Sequence, residues 1–236
     1  MPIYKISDLN ILINPIFPQT VKRLLPYLSE DGSYDFEISV SEEEICEYLK
    51  NSEEPCLDFM AEGMLILTQL CNKVLECYDG FFFHSSSLMM NGCAYVFTAV
   101  SGTGKSTHTA LWRKLFGDRV TMINDDKPII RKKDGRFYVY GTPWMGKADI
   151  GNNTKAPIKA VYILRRGAKN SAVRVKTGDV FRQIFEATVI PTDRANMARL
   201  LELLDELFSA VPLFLLTCNT DIEAAQVAYD AAENTI

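Results

Sequence analysis

The stretch that most limits what this chain can fold into is Ala99-Val100-Ser101-Gly102-Thr103-Gly104-Lys105-Ser106-Thr107. An uncharged run, Cys93-Ala94-Tyr95-Val96-Phe97-Thr98, precedes it and reads as a buried strand, and Thr109–Phe116 follows and reads as a helix. A strand that passes through a glycine-rich turn into a helix beginning Lys-Ser has the pattern of a phosphate-binding loop. The glycines let the backbone curl so that successive N–H groups face anionic oxygens. The helix N-terminus adds partial positive charge, Lys105 adds a full one, and the Ser106 hydroxyl can ligate Mg²⁺. A phosphate site is therefore predicted over Ser101, Gly102, Thr103, Gly104, Lys105, Ser106 and Thr107. The usual pattern opens on glycine, and this chain has Ala99 there. The bland alternative is an ordinary loop ahead of a helix.

At 236 residues the chain has room for one large domain, or one large and one small. A chain of this size can bury roughly 70–75% of its unfolded surface. A hydrophobic content of 47% excludes a disordered chain, and a net charge of −5 argues against a nucleic-acid partner while leaving room for a local basic pocket. The six cysteines form no Cys-x-x-Cys pair and only two histidines occur, so they are expected to be reduced core thiols of a cytoplasmic protein. The N-terminal residues show no basic segment followed by an apolar one, so no signal peptide is expected. Residues 80–104 carry no Asp, Glu, Lys or Arg. The Asn91-Gly92 turn and Ser85-Ser86-Ser87 mark this stretch as strands, and no membrane partner is expected.

Residues 1–79 read as a small α+β lobe. Ile3–Ile6, Leu9–Ile13 and Tyr34–Ile38 are expected strands. Ser41 and Glu44 form a capping-box signature that starts a helix to about Leu49. Residues 51–55 read as a loop. The spacing over 60–78 puts Met64, Leu67, Cys71, Val74, Leu75 and Tyr78 on one helical face. Residues 80–236 form the second domain. Asn91-Gly92 between two apolar runs predicts a hairpin of 81–90 with 93–99 that pairs Met90 with Cys93, Leu88 with Tyr95, Ser86 with Phe97 and His84 with Ala99. That register sets His84 beside the glycine loop.

After the loop helix, Val120–Ile123 reads as a strand running into Asn124-Asp125-Asp126. Strand, loop, helix and strand at this length predict a right-handed crossover between parallel strands, with ligands at their carboxyl ends. Two adjacent carboxylates repel, so ionising both calls for a cation, such as Mg²⁺ arriving with a nucleoside triphosphate. One Asp can then hold the metal while the other takes a proton from an attacking hydroxyl. The alternative is a plain Asp-Asp turn.

A second hairpin, with Lys132 opposite Phe137, Ile130 opposite Val139 and Pro128 opposite Gly141, is expected to return Thr142-Pro143-Trp144 toward the Asp pair. Trp144 and Lys147 are candidate substrate contacts, with ordinary turn chemistry as the alternative. Arg165-Arg166, ending a strand over 158–164, reads as a surface pair, with binding of an anionic partner as the alternative. A helix is expected over 177–188. Another is expected over 193–208, with Met197, Leu200, Leu201, Leu204, Leu207 and Phe208 facing the core. Pro212–Leu216 reads as a strand, and Thr220 with Glu223 is expected to cap a last helix.

As a set, His84, the hairpin, Ser101-Gly102-Thr103-Gly104-Lys105-Ser106-Thr107 and Asp125-Asp126 resemble the superfamily that joins HPr kinase/phosphorylase and ATP-dependent phosphoenolpyruvate carboxykinase. The resemblance covers about residues 80–150. It implies an α/β fold with a P-loop-containing mixed β-sheet core of that type beside the small N-terminal α+β lobe. It also implies ATP and Mg²⁺ as ligands, with Lys105 and Ser106 on the phosphates and the metal. Asp125 would be the base toward an acceptor hydroxyl, Asp126 would lie near the metal, and His84 would line the reacting centre. A homo-oligomer is a further implication. The longer downstream signature of HPr kinases and the further metal-binding lysine of the carboxykinase have no counterpart here. The expected activity is an ATP-dependent phosphotransferase whose acceptor is a free serine-like small molecule or a serine in a peptide. The competing readings are a non-catalytic ATP-binding regulatory or assembly module, carboxykinase-type decarboxylation, and a generic hydrolase.

Overall fold

A computed structural model describes residues 2–52, 55–191 and 193–235. The chain divides into two units, residues 1–77 and residues 78–236.

In the first unit, β1 (Ile3–Ile6) and β2 (Leu9–Ile13) form a tight hairpin turned by Ser7 and Asp8, both at positive φ. Helix α1 (Pro18–Leu24) follows, then β3 (Leu28–Ser29) and β4 (Phe36–Ile38), giving a four-stranded sheet in the order β3-β1-β2-β4. Ser41 and Glu44 make the expected reciprocal cap on α2 (Glu42–Asn51). Of the loop expected over 51–55, Asn51 ends this helix and residues 53 and 54 lie outside the described residues. Helix α3 (Asp58–Cys77) begins earlier than expected, and the face it buries is Ala61, Ile66, Leu67, Leu70, Cys71, Val74 and Leu75. Met64 is exposed, and Tyr78 lies past the helix end, so neither belongs to that face. The phase is set by the residues that reach the core, and Met64 is three positions ahead of Leu67 on the edge of the stripe. Glu62 is fully buried because its carboxylate accepts the backbone N–H groups of Ile16 and Phe17, which have no partner inside α1.

The second unit begins with β5 (Gly80–Phe82), β6 (Ser85–Met90) and β7 (Cys93–Thr98). Helix α4 (Lys105–Phe116) and β8 (Val120–Asn124) follow, then β9 (Ile129–Lys133), β10 (Arg136–Tyr140) and β11 (Lys155–Arg166). β12 (Ser171–Arg174), α5 (Thr177–Glu186), α6 (Arg194–Ala210), β13 (Leu213–Cys218) and α7 (Glu223–Glu233) complete it. The sheet is mixed, in the order β5-β9-β10-β11-β7-β6-β8, with β13 beside β11 and β12 beside β13. β11 joins its two halves. Its first residues pair antiparallel with β10, and the rest runs parallel to β7 and to β13.

Both hairpins have the expected registers over most of their length. Asn91 and Gly92 are both at positive φ, as a two-residue turn of this hand requires. The run 81–90 is two strands, not one. The His84 N–H leaves the ladder for the Ala187 carbonyl at 2.6 Å, so pairing with β7 stops at Ser85 and Thr98 and the expected His84–Ala99 pair does not form. The second ladder likewise ends at Ile129 and Tyr140, short of Pro128 and Gly141. The crossover from β7 through α4 does reach a parallel strand, but β6 lies between β7 and β8, antiparallel to both.

Phe97, Tyr162 and Phe214 stack across β7, β11 and β13 with centroids 5.0 and 5.2 Å apart. Trp112 of α4 and Ala225 and Ala228 of α7 close over this aromatic core. On α6 the buried leucines are Leu200, Leu203, Leu204 and Leu207, with Leu201 exposed in place of the expected inward position. No side chain caps α7. Asn219 instead folds its amide back onto the Asp221 N–H and carboxylate. None of the six cysteines is in a disulfide and only Cys71 is buried, so as a group they are not core thiols. Among the described residues no helix is long and apolar enough to cross a membrane.

Candidate functional site

β7 ends at Thr98, and the chain turns through residues 99–104 into α4. The Thr103 N–H bonds the Val100 carbonyl at 3.1 Å, closing a tight turn. Gly102 has φ +77° and Gly104 has φ +124°, backbone that L side chains rarely adopt, although a Cβ at either would meet little. Conformation, not space, therefore requires these two glycines. Ala99 is not among the residues at positive φ, so no left-handed backbone calls for a glycine at that position.

Lys105 is buried, and its ammonium folds back to donate to the Ala99 carbonyl at 3.1 Å. Burial holds its pKa below the ordinary lysine value, against the opposing pull of the nearby Asp126 and Asp125 carboxylates. Lysine and acid pair thus share one electrostatic neighbourhood, as expected if β7 and β8 deliver them to the same end of the sheet.

Asn124 builds the acid pair. Fully buried at the end of β8, it accepts the N–H groups of both Asp126 and Lys127 at 2.8 Å and donates to the Thr142 carbonyl at 3.0 Å. The two carboxylates then meet different surroundings. Asp125 is buried, and its Oδ1 accepts from the Ser86 hydroxyl, which is itself 2.9 Å from the Thr109 hydroxyl on α4. Ser86 gives its one proton to Asp125, so Thr109 is the donor to Ser86, and this buried run of hydroxyls ties α4 to Asp125. Asp126 is engaged at both oxygens, with His84 Nε2 at 3.2 Å from Oδ1 and Lys127 Nζ at 2.8 Å from Oδ2. Burial alone would raise the Asp126 pKa, but these two donors and their charge outweigh it and hold the carboxyl at about 2.

The other expected residues fall as follows. Trp144 is buried edge-on against Phe82, and its carbonyl accepts the Lys127 N–H, so it braces the acid turn from behind. Lys147 is exposed in the turn that follows. Ser101, Ser106 and Thr107 are exposed, and Gly102, Thr103 and Gly104 form the loop backbone. Sequence reasoning missed Ser86, Thr109 and Asn124 as partners of the acid pair. Short polar residues in an apolar strand, as in Ser85-Ser86-Ser87, were the available signal, because a buried hydroxyl needs a partner. Arg166 is not a bare surface residue. Its guanidinium donates through Nε to the Thr103 carbonyl at 3.0 Å and through Nη2 to the Gly102 carbonyl.

Among the described residues no group of three or more His, Cys, Asp and Glu side chains could hold a metal alone. Mg²⁺ asks less of a protein, since one or two carboxylates suffice when phosphate oxygens and waters complete the shell. The Ser106 hydroxyl and the two carboxylates are hard oxygen donors of that kind, and they fit the ion.

No known protein family matches this sequence, and no curated protein matches it. Among solved structures, the HPr(Ser) kinase/phosphatase from Coxiella burnetii is similar at 10% identity, over 64% of this chain and 95% of that one, with a TM-score of 0.38. A superposition that loose assigns no role to any residue here.

Proposed function

We propose that the second unit is an ATP-dependent phosphotransferase acting on a hydroxyl acceptor. The observation that carries this reading is the buried contact from Thr109 of α4 through Ser86 to Asp125, which ties the acid pair to the helix that opens at Lys105. The loop N–H groups and Lys105 take the phosphate tail, with Lys105 exchanging the Ala99 carbonyl for phosphate oxygen. Mg²⁺, held by Ser106 and Asp126, would neutralise charge on the phosphates. Asp125 takes the proton from the acceptor hydroxyl as its oxygen bonds the γ-phosphorus and the bond from phosphorus to the departing diphosphate oxygen breaks. Its partner Ser86 fixes the carboxylate's orientation. His84 and Lys127 hold Asp126 ionised beside it.

Incubation with γ-labelled ATP and a panel of hydroxy amino acids, sugars and short serine peptides tests the reading. Label transfer to one class is expected. ATP binding with no transfer to any acceptor would replace it with the non-catalytic module.

A further inference from the structure

Arg166, the last residue of β11, is exposed, yet its planar head makes two bonds to the backbone of the glycine loop. It borders two cavities, of about 630 and 550 Å³, that open on either side of that contact. Its neighbour Arg165 borders the same cavities and, among the described residues, reaches the Thr217 hydroxyl at 3.4 Å.

We infer that Arg166 is the positioning residue that keeps the glycine loop in its anion-accepting form. A trans peptide is planar, so its C=O and N–H point in opposite directions. By holding the carbonyls of Gly102 and Thr103, Arg166 turns the N–H groups of Thr103 and Gly104 away from itself. The first closes the turn onto Val100. Both flanking glycines are at positive φ, where an unrestrained glycine would be free to leave. The fork geometry of arginine suits the task, because one rigid plane donates to two successive carbonyls and an ammonium on a flexible stem does not. Arg166 thus acts on an anionic ligand through the loop.

This inference rests on the nucleotide reading of the loop, and the experiment separates the two. Amide hydrogen exchange of residues 101–105 is measured in the full chain without ligand, for the native protein and for Arg166→Ala, Arg166→Lys and Arg165→Ala. The Kd for ATP with Mg²⁺ is measured beside it. Exchange at Thr103 is expected to speed up by about tenfold in Arg166→Ala, with ATP affinity falling by about the same factor. Arg166→Lys is expected to stay close to the alanine variant. Arg165→Ala, which removes equal charge from the same place, is expected to stay close to native. Unchanged exchange in Arg166→Ala overturns the inference. So does full recovery in Arg166→Lys, or an equal loss in Arg165→Ala, since each makes Arg166 a mere source of charge. A native chain that binds no ATP would sink the proposed function, while the exchange data would still decide whether Arg166 holds the loop.

Discussion

The two flanks of the glycine loop are built differently. On the side of β6 and β8, Ser86, Thr109, Asn124 and Asp125 are buried and bonded to one another or to nearby backbone. On the side of β11 and β13, Arg165, Arg166 and Thr220 are exposed, and the arginines reach outward to their contacts. Buried polar groups in a low dielectric are costly to leave unpaired, so the first flank holds one geometry or fails. On the second flank water can replace the Arg165 contact with Thr217, while the two Arg166 bonds hold the loop from its exposed side. An orienting role for a carboxylate suits the first flank, and admission of a ligand suits the second.

The sharpest way to break this contrast is at Asp125. Asp125→Asn is expected to slow phosphoryl transfer by about 10²–10⁴-fold while ATP binding survives, measured as label transfer beside direct binding. Native rates in that variant would strip the buried flank of its chemistry. Next in size is the brace behind the acid turn. Trp144→Ala is expected to cost about 3–5 kcal/mol in urea unfolding, as for large buried aromatics elsewhere. Trp144→Phe, which keeps an aromatic against Phe82, should leave the acceptor KM near native, and a raised KM would place Trp144 on the substrate side.

Ser86→Ala leaves Asp125 without its hydroxyl donor and is expected to cost about 1.5–3 kcal/mol. An unchanged unfolding midpoint would show that the hydroxyl chain does not hold this flank together.

Acid sharpens the comparison further. His108, buried on α4 with Nε2 accepting from the Trp112 indole, is pushed by burial from an ordinary 6.5 down to about 4. Between those values the unfolded chain binds the extra proton, so stability falls as pH drops from 6.5 to 4. His108→Gln should flatten that part of a thermal-melt profile. Asp126 has the complementary behaviour. Its carboxyl is depressed from 3.8 to about 2, so its stabilisation is complete above 3.8 and is lost as pH falls toward 2. The smallest expected effect is at Lys147, where Lys147→Ala should change stability by no more than about 0.5 kcal/mol. A rise in acceptor KM with no such change would give this exposed lysine a ligand.

Local signals were legible where they are self-contained. The Ser41 capping box, the Asn91-Gly92 turn and the glycine-rich loop each need only a few neighbouring residues to be satisfied, and each occurs where the residues predict it. Helical faces were read less well, because Met64 and Leu201 are apolar at helical spacing yet only packing decides which edge of a stripe is covered. The Arg165-Arg166 pair shows the limit. Nothing adjacent in sequence separates the two, and one alone reaches a loop more than 60 positions away.

What the amino-acid order determined by itself was the strand-turn-helix unit, the hairpins and the residue types gathered near Lys105, since these depend on backbone freedom and short-range pairing. Tertiary structure alone decided that β6 slots between β7 and β8, that His84 leaves the ladder to reach Asp126, and that Ser86 and Thr109 close on Asp125. Those contacts join residues up to several dozen positions apart, and their partners are chosen by burial and hydrogen-bond satisfaction across the whole unit, which no local window of sequence contains.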